Sequence, residues 1–236
     1  MWKVIDSGSK SASELMDFDD KLLNAMKLDD QPIIHFYDFL KPSFTFGVFI
    51  KPEELMNPKV YIQDFDFSKR PTGGGVLFHV WDFAFSCLVP KHHEGFCPDV
   101  MDSYKYINSN IAEALSEYLV EKGTGFSLLP EEIDSQHPLC KHFCFAKPTK
   151  YDLMYGGKKL AGAAQRRKAN GYLHQGSISL IMPDFSILDP LFGKNSPVLS
   201  AMNLHIHPLL GQTATLTDRK DAREKIKKMI TSSFNS

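Results

Sequence analysis

Apolar side chains recur at Leu15, Phe18, Leu22, Leu23 and Met26 within residues 11–27, a spacing that predicts an amphipathic helix of about four turns. Ser and Glu residues at its start suit a cap and first turn. Residues 32–37 then read as a strand, Lys41-Pro42 interrupts, and residues 43–50 read as a second strand. Phe36, Phe44, Phe46 and Phe49 supply core volume. Between Pro52 and Pro58 lies a short helix or turn, followed by the apolar run Val60-Tyr61-Ile62. Residues 76–79 and 84–89 read as a strand pair around Trp81-Asp82.

Tyr104, Ile107, Ile111, Ala114, Leu115 and Tyr118 mark the longest helix over 101–119, stopped by Gly123 and Gly125. A loop rich in His, Pro and Cys fills 129–150; loops of that length are usually functional or disordered. Residues 151–155, the Gly156-Gly157 turn and residues 159–165 form a hairpin, residues 177–181 another strand, and residues 218–230 a charged terminal helix. Strands outnumber helices and come in hairpin-like pairs, so the expected class is α+β rather than a doubly wound sheet.

Composition narrows this picture. At 236 residues the chain supports a sizeable core, and without an internal repeat or linker it is expected to be one domain over 1–236. Its 27 basic and 28 acidic residues nearly cancel, leaving no global field for nucleic acid or an anionic membrane. No apolar run reaches the roughly 20 residues of a bilayer span, and the polar turn at Asp6 is too early for a signal-peptide core. The expectation is a soluble cytoplasmic protein whose Cys87, Cys97, Cys140 and Cys144 are free thiols.

Three segments carry candidate chemistry. Gly73, Gly74 and Gly75 allow backbone angles closed to other residues and a close approach to a ligand, with N–H groups able to cup an anion or carbonyl. No Gly-Lys-Ser/Thr follows and the dinucleotide order is missing, so this is either a ligand nest or a plain tight hairpin. Arg70 and His79 stand at its two ends, a permanent cation and a titratable group.

Lys159 follows the Gly156-Gly157 turn; a strand lysine turned inward needs an anion or polar ligand, whereas one turned outward is a solvated hairpin residue. Two-residue periodicity puts Lys159 with Ala161, and Lys158 with Leu160 and Gly162 on the opposite face. Small residues at 161–164 leave room for a bound acyl chain. Cys144, flanked by Phe143 and Phe145, is either an inert loop cysteine or a nucleophile activated by a nearby cation or main-chain donor. His137, Cys140, His142 and Cys144 lack the compact spacing of a zinc knuckle, so no metal site is expected.

Four ordered segments resemble the lipoate-protein ligase A/octanoyltransferase family, whose catalytic domain is related to that of biotin-protein ligases. They are the Tyr37-to-Gly47 stretch with its aromatic, proline and glycine residues; Arg70-Pro71-Thr72-Gly73-Gly74-Gly75 with Val76 to His79; Gly157-Lys158-Lys159-Leu160-Ala161-Gly162-Ala163-Ala164-Gln165; and Gly171-Tyr172-Leu173-His174-Gln175-Gly176-Ser177-Ile178. The resemblance implies mixed, largely antiparallel sheets flanked by helices. It implies that Lys159 contacts the acyl carbonyl, and that Arg70, Gly73, Gly74, Gly75, His79, Gly162 and Ala163 form the acyl site. Ala163 stands where the family often has serine.

Cys144-Phe145 followed by Pro148, Tyr151 and Leu153 is most similar to the family's cysteine-dependent octanoyltransferases. That likeness implies a thioester on Cys144, octanoyl acyl-carrier protein as donor, and a lipoyl-domain protein such as the glycine-cleavage H protein as acceptor. No cofactor is then required. The alternatives are an ATP- and Mg-dependent lipoate or octanoate ligase, a lipoyl amidotransferase, and a lipoyl-binding protein without turnover.

Overall fold

The computed structural model describes residues 1–57, 65–119, 125–134, 137–193 and 195–236. Strands β1 (Lys3–Lys10), β2 (Ile33–Phe39), β6 (Asp82–Pro90), β10 (Gly171–Ser179), β9 (Lys158–Lys168), β8 (Leu153–Tyr155) and β7 (Phe126–Leu128) lie side by side in that order in a seven-stranded sheet. Only β1 and β2 run parallel in it; the other pairs are antiparallel. A second sheet has the order β4 (Asp66–Lys69), β3 (Ser43–Phe46), β5 (Val76–His79), with β3 parallel to β4 and antiparallel to β5. The class is therefore α+β with largely antiparallel sheets, as the strand pattern predicts.

Helix α1 (Ala12–Ala25) opens with a capping box in which Ser11 and Glu14 satisfy each other's end of the first turn. Its apolar stripe buries Leu15, Met16 and Leu23 against one face of the large sheet, where Tyr37, Ala84, Leu88 and Leu173 receive it. Alternation sends Ile34, Phe36, Phe83, Phe85 and Tyr172 to the opposite face, where they join Ile107, Ile111 and Leu115 of α2 (Val100–Leu119). Helix α3 (Pro197–His205) adds Val198 and Met202 to the same cluster, and α4 (Leu216–Ser233) adds Ile226 and Ile230.

Several expectations change. Residues 76–79 and 84–89 are strands but not a pair: β5 belongs to the small sheet and β6 to the large one. The chain turns a corner at Trp81, whose carbonyl accepts the N–H groups of Leu180 and Ile181, so β6 starts beside β10. The strand expected over 43–50 ends at Phe46, because Gly47 passes so close to the glycine turn that a Cβ there would lie 2.2 Å from the Gly74 carbonyl oxygen.

The strand begun near 32 continues to Phe39, and the one expected over 177–181 is instead β10, which begins six residues earlier and pairs with β6 and β9 along most of its length. Strand β1 escapes the hydrophobic pattern because it is an exposed edge with mostly polar residues. Val60, Tyr61, Ile62 and Gly123 lie outside the described residues.

Candidate active site

A cavity of about 240 Å³ opens between the α1 face of the large sheet and the small sheet. Cys144, Lys159, Met16, Tyr37 and His79 all line it. The large sheet contributes Lys159, Gly162, Ala163 and Ala164 of β9, Gln175, Gly176 and Ser177 of β10 and Tyr37 of β2 to its lining, and the small sheet Thr45, Leu77 and His79.

Lys159 reaches this cavity because the β8–β9 ladder slips. Leu153 pairs with Ala161 but Met154 with Lys159, so Leu160 is an extra residue on β9. The bulge overturns the strict alternation expected from sequence: Lys159 shares a face with Gly162, where a Cβ would lie 2.7 Å from its Nζ. The ammonium is 3% exposed as a residue; it pairs with Asp152 Oδ2 at 2.6 Å and donates to the Cys144 carbonyl at 2.7 Å. Burial pushes the Asp152 carboxyl above its ordinary range, opposed in part by Lys159 and by two hydrogen bonds from Thr149.

The glycine turn faces Cys144. Gly74 has φ +83°, a left-handed conformation suited to glycine, and a Cβ on it would stand 4.0 Å from Cys144 Sγ. At Gly75 a Cβ would lie 2.3 Å from the His142 carbonyl oxygen, so the loop docks only against a bare α-carbon. The Cys144 N–H then donates to Val76 O at 2.9 Å, while buried Phe143 stacks on Phe78 and meets Phe192 edge-on. These contacts fix the half-buried Cys144 beside β5.

Arg70 holds the turn from below. Its guanidinium donates to Thr45 O and Oγ1 and to the carbonyls of Gly73 and Gly75, at 2.7–3.1 Å. His79 bonds Thr45 Oγ1 through Nε2 and Asp82 through Nδ1, each at 2.8 Å, so both ring nitrogens are engaged by side chains. Burial pushes the Asp82 carboxyl up, but His79, Arg219 and the Ser177 hydroxyl outweigh it and leave Asp82 below its ordinary value.

A second polar group lies under α1. Asp19, wholly buried, accepts from Ser86 and pairs with His35 through one oxygen, and accepts from Gln175 Nε2 through the other, all at 2.8 Å. Gln175 Oε1 in turn accepts from Thr72 Oγ1 at 2.7 Å. Helix α1 is thus tied through β10 to the residue before the glycine turn.

Arg70, Gly74, Gly75, His79, Cys144, Lys159, Gly162 and Ala163 all border one cavity; Gly73 does not, and contributes its carbonyl to Arg70 instead. Sequence reasoning missed Asp152, Asp19, Gln175 and Tyr37. Counting outward from Gly156-Gly157 puts Met154 opposite Lys159, so nothing in the hairpin's spacing pairs that lysine with Asp152, and Asp19 sits on a helix as one more polar residue. Among the described residues no group of three or more His, Cys, Asp and Glu converges as a metal site, and the four cysteines are unpaired. Burial pushes the Cys87 and Cys140 thiols up, disfavouring their reactive form.

The family described as the lipoyl protein ligase A/B catalytic domain matches residues 11–228. An octanoyltransferase LipM of Staphylococcus epidermidis is 27% identical over 233 residues, covering 95% of this chain and 84% of the relative. That of Anoxybacillus flavithermus is 32% identical over 199 residues, covering 81% and 69%. A lipoate-protein ligase A whose crystal structure holds ATP has a TM-score of 0.70 over 98% of this chain and 83% of its own, at 18% identity, a likeness of fold.

Proposed function

This chain belongs to the lipoyl protein ligase A/B catalytic domain family, and from that premise we propose that it is an octanoyltransferase working through a thioester on Cys144. The observation that carries the reading is the meeting of three groups in the wall of an apolar cavity. Cys144 lies against the Gly74 turn, and the Lys159 ammonium is bonded to the carbonyl of Cys144 itself. The relatives named octanoyltransferase LipM support the choice of acyl group.

In the first step Cys144 sulfur attacks the carbonyl of octanoyl acyl-carrier protein, the carbon–sulfur bond to the carrier breaks, and the carrier leaves as its thiol with the proton Cys144 gave up. Lys159 has three N–H donors, two of them given to Asp152 and Cys144; the third meets the oxyanion that develops on the acyl oxygen. In the second step the neutral amine of a lipoyl-domain lysine, such as that of the glycine-cleavage H protein, attacks the enzyme thioester. An amide forms and Cys144 is released as a thiol. The donor arrives activated, so the chemistry draws on no ATP.

Residues 1–236 act as one catalytic domain in this reading, supported by a single apolar cluster that joins Phe44 and Phe78 of the small sheet to Phe83 and Phe85 of the large one. The site of action is the cytoplasm, where a reactive thiol stays reduced; among the described residues no helix is long and apolar enough to cross a membrane.

The test is an incubation with octanoyl-carrier protein, then with a lipoyl domain, in the absence of ATP, followed by intact mass. A hydroxylamine-sensitive octanoyl adduct on the enzyme and its passage to the lipoyl domain are expected, and Cys144→Ser should abolish both. Modification that requires ATP and free acid, and survives Cys144→Ser, would replace this reading with adenylate-based ligation.

A further inference from the structure

We infer that Lys141 anchors the acyl donor at the cavity mouth by binding the phosphate of its phosphopantetheine arm, an assignment that rests on the acyl-transfer reading above. The residues that both line the cavity and are exposed mark where it meets solvent: Gly74, Glu132, Lys141 and Thr149. The last three belong to the loop that carries Cys144. An acyl group lodged inside and still joined to its carrier must send the joining arm across this rim.

The other members of the rim are already engaged. Gly74 has no side chain to offer, Glu132 is paired with Lys147, and Thr149 gives both its N–H and its hydroxyl to Asp152. Four side chains lining the cavity are lysine or arginine: Arg70, Lys141, Lys147 and Lys159. Arg70 spends its guanidinium on the glycine turn and Thr45, and Lys159 is bonded to Asp152 and to the Cys144 carbonyl. Lys141 makes no hydrogen bond or ion pair among the described residues. It alone keeps all three N–H donors for a ligand, and an ammonium so placed takes an anion.

The reach of the two partners agrees. Lys141 precedes Cys144 by three residues, a separation of at most about 10 Å along extended chain, to which a lysine side chain adds about 6 Å. In phosphopantetheine about thirteen bonds separate the thioester sulfur from phosphorus, or roughly 16 Å when extended. With the thioester at Cys144, the phosphate therefore comes within range of the Lys141 ammonium at the rim. The neutral remainder of the arm needs no charged partner on the way.

The assignment is tested with two analogues that cannot transfer, the ketones in which a methylene replaces the thioester sulfur of octanoyl-phosphopantetheine and of octanoyl-pantetheine. Calorimetric titration of the wild-type protein should show about fivefold tighter binding of the phosphorylated analogue. Lys141→Gln should make the two equal by weakening the phosphorylated one alone, and Lys141→Arg should retain the preference. In 1 M salt, where the screening length falls to about 3 Å, the wild-type preference should vanish.

Equal affinities in the wild type, an undiminished preference in Lys141→Gln, or failure of the wild type to bind either analogue would overturn the assignment. So would a Lys141→Gln protein impaired only towards the intact octanoyl-carrier protein, which would move the contact to the carrier's own surface. A phosphate preference that depends on Lys141 in a protein that forms no adduct on Cys144 would instead fault the proposed reaction and leave the phosphate contact in place.

Discussion

Asp152 and Lys159 face each other at 2.6 Å across the β8–β9 hairpin, each side chain 4% exposed. Burial holds the Asp152 carboxyl above its ordinary range even with an ammonium beside it. The pair is thus costly to enclose, and its value lies in fixing the ammonium under Gly162 and against the Cys144 carbonyl rather than in surplus stability.

Asp152→Asn keeps the shape and removes the counter-charge, leaving Lys159 enclosed without an anion. Urea unfolding should show a loss of about 3–5 kcal/mol. Adding Lys159→Met to that variant should recover part of the loss, a coupling of about 1 kcal/mol or more between neighbours. Strictly additive single and double variants would mean that the ion pair contributes nothing.

Gly75 and Gly73 should respond oppositely to alanine. At Gly75 the new Cβ would collide with backbone of His142, at 2.3 Å from its oxygen, whereas at Gly73 it meets nothing within 4 Å and needs no positive φ. Gly75→Ala should cost about 1–3 kcal/mol and, by lifting the cysteine loop from β5, lower octanoyl transfer at least tenfold. Gly73→Ala should lie within about 0.5 kcal/mol of wild type. Thermal unfolding and the rate of adduct formation measure the two effects.

Asp19→Ala strips His35, Ser86 and Gln175 of their common acceptor. Unsatisfied buried donors predict a loss of about 2 kcal/mol or more. Because Gln175 also holds Thr72 ahead of the glycine turn, KM for the acyl donor should rise more than kcat falls. Steady-state kinetics on the folded fraction separates those effects; an unchanged KM would confine Asp19 to a role in stability.

His174, enclosed between β9 and α2, is pushed down to about 3 by burial, from an ordinary value of 6.5. The unfolded chain takes up this proton below about pH 6.5 and the folded chain does not until about pH 3. Protonation therefore favours unfolding: the contribution is complete above pH 6.5 and is lost as pH falls towards 3, at up to about 1.4 kcal/mol per pH unit. His174→Gln should flatten the stability profile between pH 6.5 and 4.5, as read by urea midpoints. Parallel slopes in variant and wild type would contradict the assignment.

The elements legible in the sequence are those whose evidence is local. Leu15, Leu23, Ile107, Ile111 and Leu115 declare helices because one turn brings them to one face. The Gly156-Gly157 hairpin was legible for the same reason, the turn and both strands being adjacent in the chain. Partner choice was not: the alternation of β5 and β6 suits a hairpin as well as a corner between sheets, and only the packing of β6 against β2 and β10 decides.

In the site, Arg70, Gly74, Gly75, Cys144 and Lys159 were found through resemblance to a family, and the cavity does bring them together. Asp152 and Asp19 stayed hidden because nothing in an isolated Asp states its depth. Their roles arise from the bulge in β9, the seating of α1 and the strand order of the large sheet.

The extra residue at Leu160 makes chain length between the turn and the strand as consequential as side-chain identity. Deleting one lysine of Lys158-Lys159 would restore regular pairing with the remaining lysine opposite Tyr155 and turned from the face of Gly162, although a lysine would still follow the glycine turn in the sequence. Evolution can therefore silence or retune this site by a single-codon deletion, and a comparison of relatives that scores residues while tolerating gaps would read the silenced copy as intact.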